Sequence, residues 1–149
     1  DVGGASAEMS DDLVTACWAR LSADAGLIFA FGKMDWLAIE EMPAGAEYPL
    51  ATIEQVASKT EQLTFSGGYE SEGEITVACY ATTQRQAAAL AQAVRDALRL
   101  VSVTIQGRTT SEIFVDGGES EYLGRGQDGD HVYVESVDFS VTWPGELPT

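Results

Sequence analysis

Between Gly73 and Leu100 the pattern of apolar and polar positions changes its period. From Ile75 to Tyr80 it alternates. Ile75, Val77 and Cys79 point one way and Thr76, Ala78 and Tyr80 the other, which predicts a strand. From Thr83 onward the spacing becomes helical. Ala87, Leu90, Ala91, Val94, Leu98 and Val101 form one apolar stripe, and Arg85, Gln92, Arg95, Asp96 and Arg99 occupy the far side. Thr83 is the expected N-cap, with Gln86 three residues on completing a capping box. A strand that runs directly into an alanine-rich amphipathic helix predicts a helix laid on a sheet.

Upstream, Ser10 is expected to cap a first helix reaching about Ser22, with Asp11 and Asp12 in the first turn, where the helix dipole favours anions. Leu13, Val14, Cys17 and Leu21 form its buried face, flanked by Trp18, and Asp24-Ala25-Gly26 stops it. Leu27 to Phe31 reads as a short apolar strand. The segment from Gly32 to Glu47 is ambiguous, since MDWLAIEEM fits one or two helical turns. Pro43 and Pro49 bracket a turn into a strand from about Leu50 to Ser58, and Lys59 to Ser71 is expected to be an extended arm or long loop.

Downstream the pattern predicts strands throughout. Glu112 to Val115 is a short one, and Asp116-Gly117-Gly118 is a hairpin signal. Glu121 to Arg125 returns, and Gly126-Gln127-Asp128-Gly129 turns again. His131 to Trp143 is the longest strand. Tyr133, Val137, Phe139, Val141 and Trp143 share one face, interrupted by Glu135, and Ser136, Asp138, Ser140 and Thr142 share the other. The order α-β-β-β-α-β-β-β predicts an α+β fold, a mainly antiparallel β-sheet with two principal helices packed on one face. Residues 1–9 are expected to form a flexible lead-in, 10–143 a single α+β domain and 144–149 a C-terminal tail.

At 149 residues one domain is expected, large enough to bury a core, and the hydrophobic content of 45% is ordinary for a globular chain. No apolar run reaches the roughly 20 residues of a membrane span. The N-terminus DVGGASAEMS has neither the basic start nor the apolar centre of a signal peptide, and the missing initiator Met is compatible with a start inside a longer product. Charge changes the picture more. With 24 acidic and 8 basic residues the formal net charge is −16, which argues against a groove gripping nucleic acid and against an anionic membrane surface. It suits either plain solubility or a surface that lets DNA pass without holding it.

Candidate chemistry is sparse. Cys17 and Cys79 sit among apolar neighbours and read as two buried thiols. Two cysteines and one histidine make no zinc site, so no metal and no cofactor are expected. His131, beside Asp130, is expected to be structural or exposed, and no G-x-S-x-G accompanies it. GGYESEG and DGGESEYLGRG lack the Gly-Lys-Ser/Thr ending of a phosphate-binding loop. Asp128 and Asp130 resemble the start of a calcium loop, but Val132 and the spacing of Gly and Glu depart from it. Glu70, Glu72 and Glu74 alternate along a strand and are expected to form a solvated edge. Trp18, Trp36 and Trp143 are expected in the core. No catalytic residues are predicted, and the chain is not read as an enzyme.

The run Met42-Pro43-Ala44-Gly45-Ala46-Glu47-Tyr48-Pro49-Leu50 between a first helix and a strand, then AAALAQAVRDAL, then a β-rich end, resembles the tail-terminator or tail-completion family of long-tailed bacteriophages. The resemblance covers about residues 10 to 143; Gln55 to Gly73 matches poorly. It implies an α+β fold, a hexameric ring and no catalysis. The expected role is a structural virion protein, assembled in the host cytoplasm, that caps the tail tube and joins it to the head connector. The implied partners are further copies of itself, the tail tube protein and a head connector or stopper protein, with DNA passing through unbound. Two other readings stand beside it: another head-tail connector or minor tail protein, and a small ligand-binding α+β domain. Arg85, Arg95 and Arg99 share one helix of an acidic protein and are candidates for a subunit interface. Glu70, Glu72, Glu74, Glu119, Glu121, Asp128 and Asp130, taken as acidic turns, are candidates for a channel or rim.

Overall fold

The computed structural model describes residues 12–43, 45, 47–62, 69–126 and 129–144. Asp12 opens helix α1 (Leu13–Ser22) as N-cap, its carboxylate accepting from the Thr15 amide at 2.7 Å. The cap therefore falls two residues later than expected, and Ser10 and Asp11 lie outside the described residues. Leu27 to Phe31, expected as a strand, belongs to helix α2 (Ala25–Phe31). Asp24 accepts from the Leu27 amide at 3.0 Å, and Gly32 closes the helix at φ 77°, where a side chain is disfavoured. A short apolar run does not declare its own period, and here the caps decide it.

The ambiguous stretch resolves into β1 (Leu37–Ile39), paired in parallel with β2 (Leu50–Gln62). Phe31 stacks on Trp36 just before it, centroids 4.4 Å apart. β2 pairs antiparallel with β3 (Tyr69–Ala81) down to Gln62↔Tyr69. The expected arm or loop is thus largely paired strand, and its remainder, 63–68, lies outside the described residues. Thr83 caps α3 (Gln84–Leu98) as predicted, accepting from the Gln86 amide at 3.1 Å. Val101 falls beyond the helix, because Arg99 turns extended and Leu100 adopts φ 62°. A two-residue turn at Gln106-Gly107, both at positive φ, joins β4 (Thr104–Ile105) to β5 (Arg108–Thr109) in a separate small sheet.

The predicted hairpin at Asp116-Gly117-Gly118 is absent. β6 (Phe114–Arg125) runs straight through it and pairs antiparallel with β7 (His131–Pro144). The register shifts between Val115 and Gly117, so the glycines mark a bulge. Gly118 lies against its neighbour strand, and a Cβ there would sit 2.4 Å from the Ser136 carbonyl oxygen. The second predicted turn is real. Gly126 donates to the Asp130 carbonyl at 2.8 Å and Gly129 to that of Gly126 at 3.0 Å.

The five-stranded sheet has the order β1-β2-β3-β7-β6, mixed only at its parallel β1–β2 pair. The helices pack on one face, giving the α+β architecture expected. Ile53, Ile75, Val77, Cys79, Val137, Phe139, Val141 and Trp143 form the sheet's side of the core. Leu13, Cys17, Leu21, Leu27 and Phe31 meet them, together with the α3 stripe from Ala87 to Leu98. Each large side chain so buried contributes about 1.5–3 kcal/mol. Trp36 and Trp143 are fully buried and Trp18 partly so, its indole donating to the Leu37 carbonyl at 3.0 Å. Both cysteines are buried and free, as expected.

Candidate functional surface

Strand pairing decides where the candidate carboxylates sit. β3 has β2 on one side and β7 on the other, so Glu70, Glu72 and Glu74 guard no edge and form no turn. They alternate with Ser71, Gly73 and Ile75, which face the helices. The glutamates therefore point to the opposite face. β6 supplies Glu119 and Glu121 to that same face, in register with Ser136 and Val134 of β7. Two acidic segments far apart in the chain are brought onto one surface. Asp130 lies outside it, at the β6–β7 turn, and Asp128 is outside the described residues.

Three further acids join the face. Glu54 is registered with Thr76, and Thr76 with Asp138. The Thr76 hydroxyl donates to Asp138 Oδ1 at 2.6 Å. Asp116 stands at the β6 bulge, next to Glu74. The alternation along β7 puts Asp138 on its polar face without linking it to the others, and Asp116 falls in the segment expected to turn. The crowding has an electrostatic signature. A hydrogen bond with Asp116, then desolvation, then the charges of Asp116, Glu72 and Asp138 raise the Glu74 pKa above its ordinary 4.5. A raised folded-state value favours the fold fully below pH 4.5, and this contribution is lost as pH rises through the folded-state pKa. Glu74→Gln should therefore melt higher than the parent at pH 7, with the gap closing towards pH 4 (measured as thermal midpoints at low salt). A variant that melts lower at pH 7 would show that the carboxylate is held favourably.

The arginines lie on the other layer. Arg85 and Arg99 are exposed at the two ends of α3, and Arg95 donates to Gln92 Oε1 at 2.6 Å while Gln92 donates to Asp96 at 2.9 Å. Among the described residues none of the three forms an ion pair. The chain thus carries carboxylates on the sheet face turned away from the helices and these cations on its helical side.

His131 is exposed, as expected. Its Nδ1 lies 2.6 Å from the Tyr122 hydroxyl, and its ring packs at a tilt against Tyr122. Among the described residues no group of three acidic, Cys or His side chains is arranged to hold a metal. An open pocket of about 540 Å³ lies beside β1 and the start of β2, lined among others by Lys33, Asp35, Trp36 and Glu47. Lys33 Nζ donates to the Glu47 carbonyl, and among the described residues the buried Trp36 indole N–H has no partner.

The family model described as tail completion protein gp17 matches residues 15–142. A chain of the solved virion of a native gene transfer agent (GTA) particle aligns over 92% of this chain and 98% of its own, at 16% identity and TM-score 0.68. At that identity the likeness shows a shared fold. A second solved structure aligns more loosely, over 85% of this chain and 90% of its own, at 16% identity and TM-score 0.48. No curated protein matches the sequence.

Proposed function

The chain belongs to the tail completion protein gp17 family, a structural component of the virion tail, and from that premise we propose that it closes the end of the tail tube as a hexameric ring and joins the tail to the head connector. The observation that carries the reading furthest is the gathering of carboxylates from β3 and β6 on the sheet face turned away from the helices. In a ring around the DNA path, that face lines the channel. Crowded like charges at a subunit contact would cost kilocalories at low dielectric, whereas in a water-filled channel they are screened and repel phosphate. The genome passes and is not held. Arg85, Arg95 and Arg99, on the helical layer, are cations that would meet a neighbour's carboxylates.

Imaging of purified tail tubes mixed with the protein tests this. The parent is expected to cap tube ends with six-fold rings. The double reversal Arg95→Glu and Arg99→Glu is expected to leave the monomer folded and most tube ends bare. Tubes that the parent never caps, at any stage of assembly, reject the ring. Normal capping by the double variant removes the two arginines from the contact.

A further inference from the structure

β6 closes the sheet on one side, and no described strand pairs with its outer flank. The unpaired N–H and C=O groups of such a flank are a template for another chain. The strand is also bare on both faces. Every residue from Asp116 to Leu123 is exposed. Gly118, Ser120 and Tyr122, in register with Val137, Glu135 and Tyr133, lie on the helix side. α3 packs over β3 and β7, and these three residues stay open to solvent. Glu119 and Glu121 lie on the opposite side.

The two faces of this edge differ in chemistry. On the helix side Tyr122 is 50% exposed and its ring lies 4.9 Å from that of Tyr133. It borders an apolar gap of about 120 Å³ that reaches Ala87 at the start of α3. On the opposite side stand Glu119 and Glu121, and Asp138 is one strand in. Gly117, registered with Asp138, puts no side chain between that carboxylate and the edge; a Cβ there would lie 3.7 Å from Asp138 Oδ2. A strand added to β6 therefore meets carboxylates on one face and an aromatic surface on the other. Its side chains alternate between the two with period two. Lys or Arg suits the first face and apolar residues the second. A second copy's β6 brings its own Glu119 and Glu121, and like charges directly opposite each other are destabilising. Nor does this chain hold a segment with the required alternation, since no two of its eight basic residues stand two positions apart.

We propose that β6 takes an extended segment of a different virion protein as an added strand, with Lys or Arg over Glu119, Glu121 and Asp138 and apolar side chains against Tyr122. Glu70, Glu72 and Glu74 lie beyond β7 and are left to the channel. The added strand does not depend on the ring. The test titrates the full chain at physiological ionic strength with a short peptide of alternating Lys and Val. The control is the same peptide N-methylated at every second amide, which keeps its charge but cannot pair along one flank. The Lys–Val peptide is expected to bind and to slow amide hydrogen exchange in β6, and the methylated one to bind at least about tenfold more weakly. Glu119→Gln with Glu121→Gln should melt like the parent and bind the peptide at least about threefold more weakly. Equal binding of the methylated peptide would show attraction by charge alone and overturn the proposal. Protection confined to amides outside β6, unchanged affinity in the double variant, or no binding of the Lys–Val peptide would overturn it as well. None of these outcomes bears on tube capping, which tests the ring separately.

Discussion

Gly118→Ala is expected to destabilise the fold by about 3 kcal/mol, at the upper end of what overpacking costs, and to lower the thermal midpoint by about 6–12 °C. The added Cβ would meet the Ser136 carbonyl oxygen at 2.4 Å, far inside any ordinary contact. The obstructing atom is backbone, so no rotamer change relieves it. Ser136 is itself held in the β3–β7 ladder opposite Ala78. Either β6 shifts outward and loses rungs next to the bulge, or β7 distorts against the core. By comparison, Gly73→Ala should be milder. There the nearest atom, 2.7 Å away, is the end of the Leu13 side chain, which can move. An unchanged midpoint for Gly118→Ala would show that β6 is not held against β7 at this level.

The second large effect is alkaline. Burial first, with a smaller contribution from Asp12, raises the Cys17 thiol from 9.0 to about 12, and burial with help from Glu135 does the same for Cys79. The folded state keeps two protons that the unfolded chain gives up. The sign is therefore definite. This stabilisation is complete below pH 9 and is lost as pH climbs from 9 to 12. In that window each thiol steepens the fall by about 1.4 kcal/mol per pH unit, and the pair by about twice that. Denaturant unfolding of the parent and of Cys17→Ala/Cys79→Ala, compared between pH 8 and 11, isolates the contribution from the titration of lysine and tyrosine. Parallel stability curves would show that the thiols ionise freely in the folded protein. A thiol-reactive disulfide should likewise label neither cysteine at pH 8 until the chain unfolds.

Near neighbours in the chain settle whatever a local period or a local cap encodes. The α3 stripe, the Thr83 cap, the alternation of β3 and β7 and the burial of both cysteines could all be read from neighbours a few residues apart. Side-chain direction repeats every 3.6 or 2 residues, whatever the rest of the chain does. Even the helix at Ala25–Phe31 was marked by Asp24 and Gly32, although its short apolar run read as a strand. Which strand lies beside which is set by packing between distant segments. Glycines at 117 and 118 suit a turn or a bulge equally well, and the continuous partner strand β7 selects the bulge. Glu70, Glu72 and Glu74 look like edge guards until β2 and β7 close on both sides of β3. Their union with Glu119, Glu121, Asp116 and Asp138 depends on ladder registers between segments tens of residues apart. Those registers are set by burial of the opposite face, because a slip of one residue would turn Val77, Val137 and Phe139 to water and the carboxylates into the core.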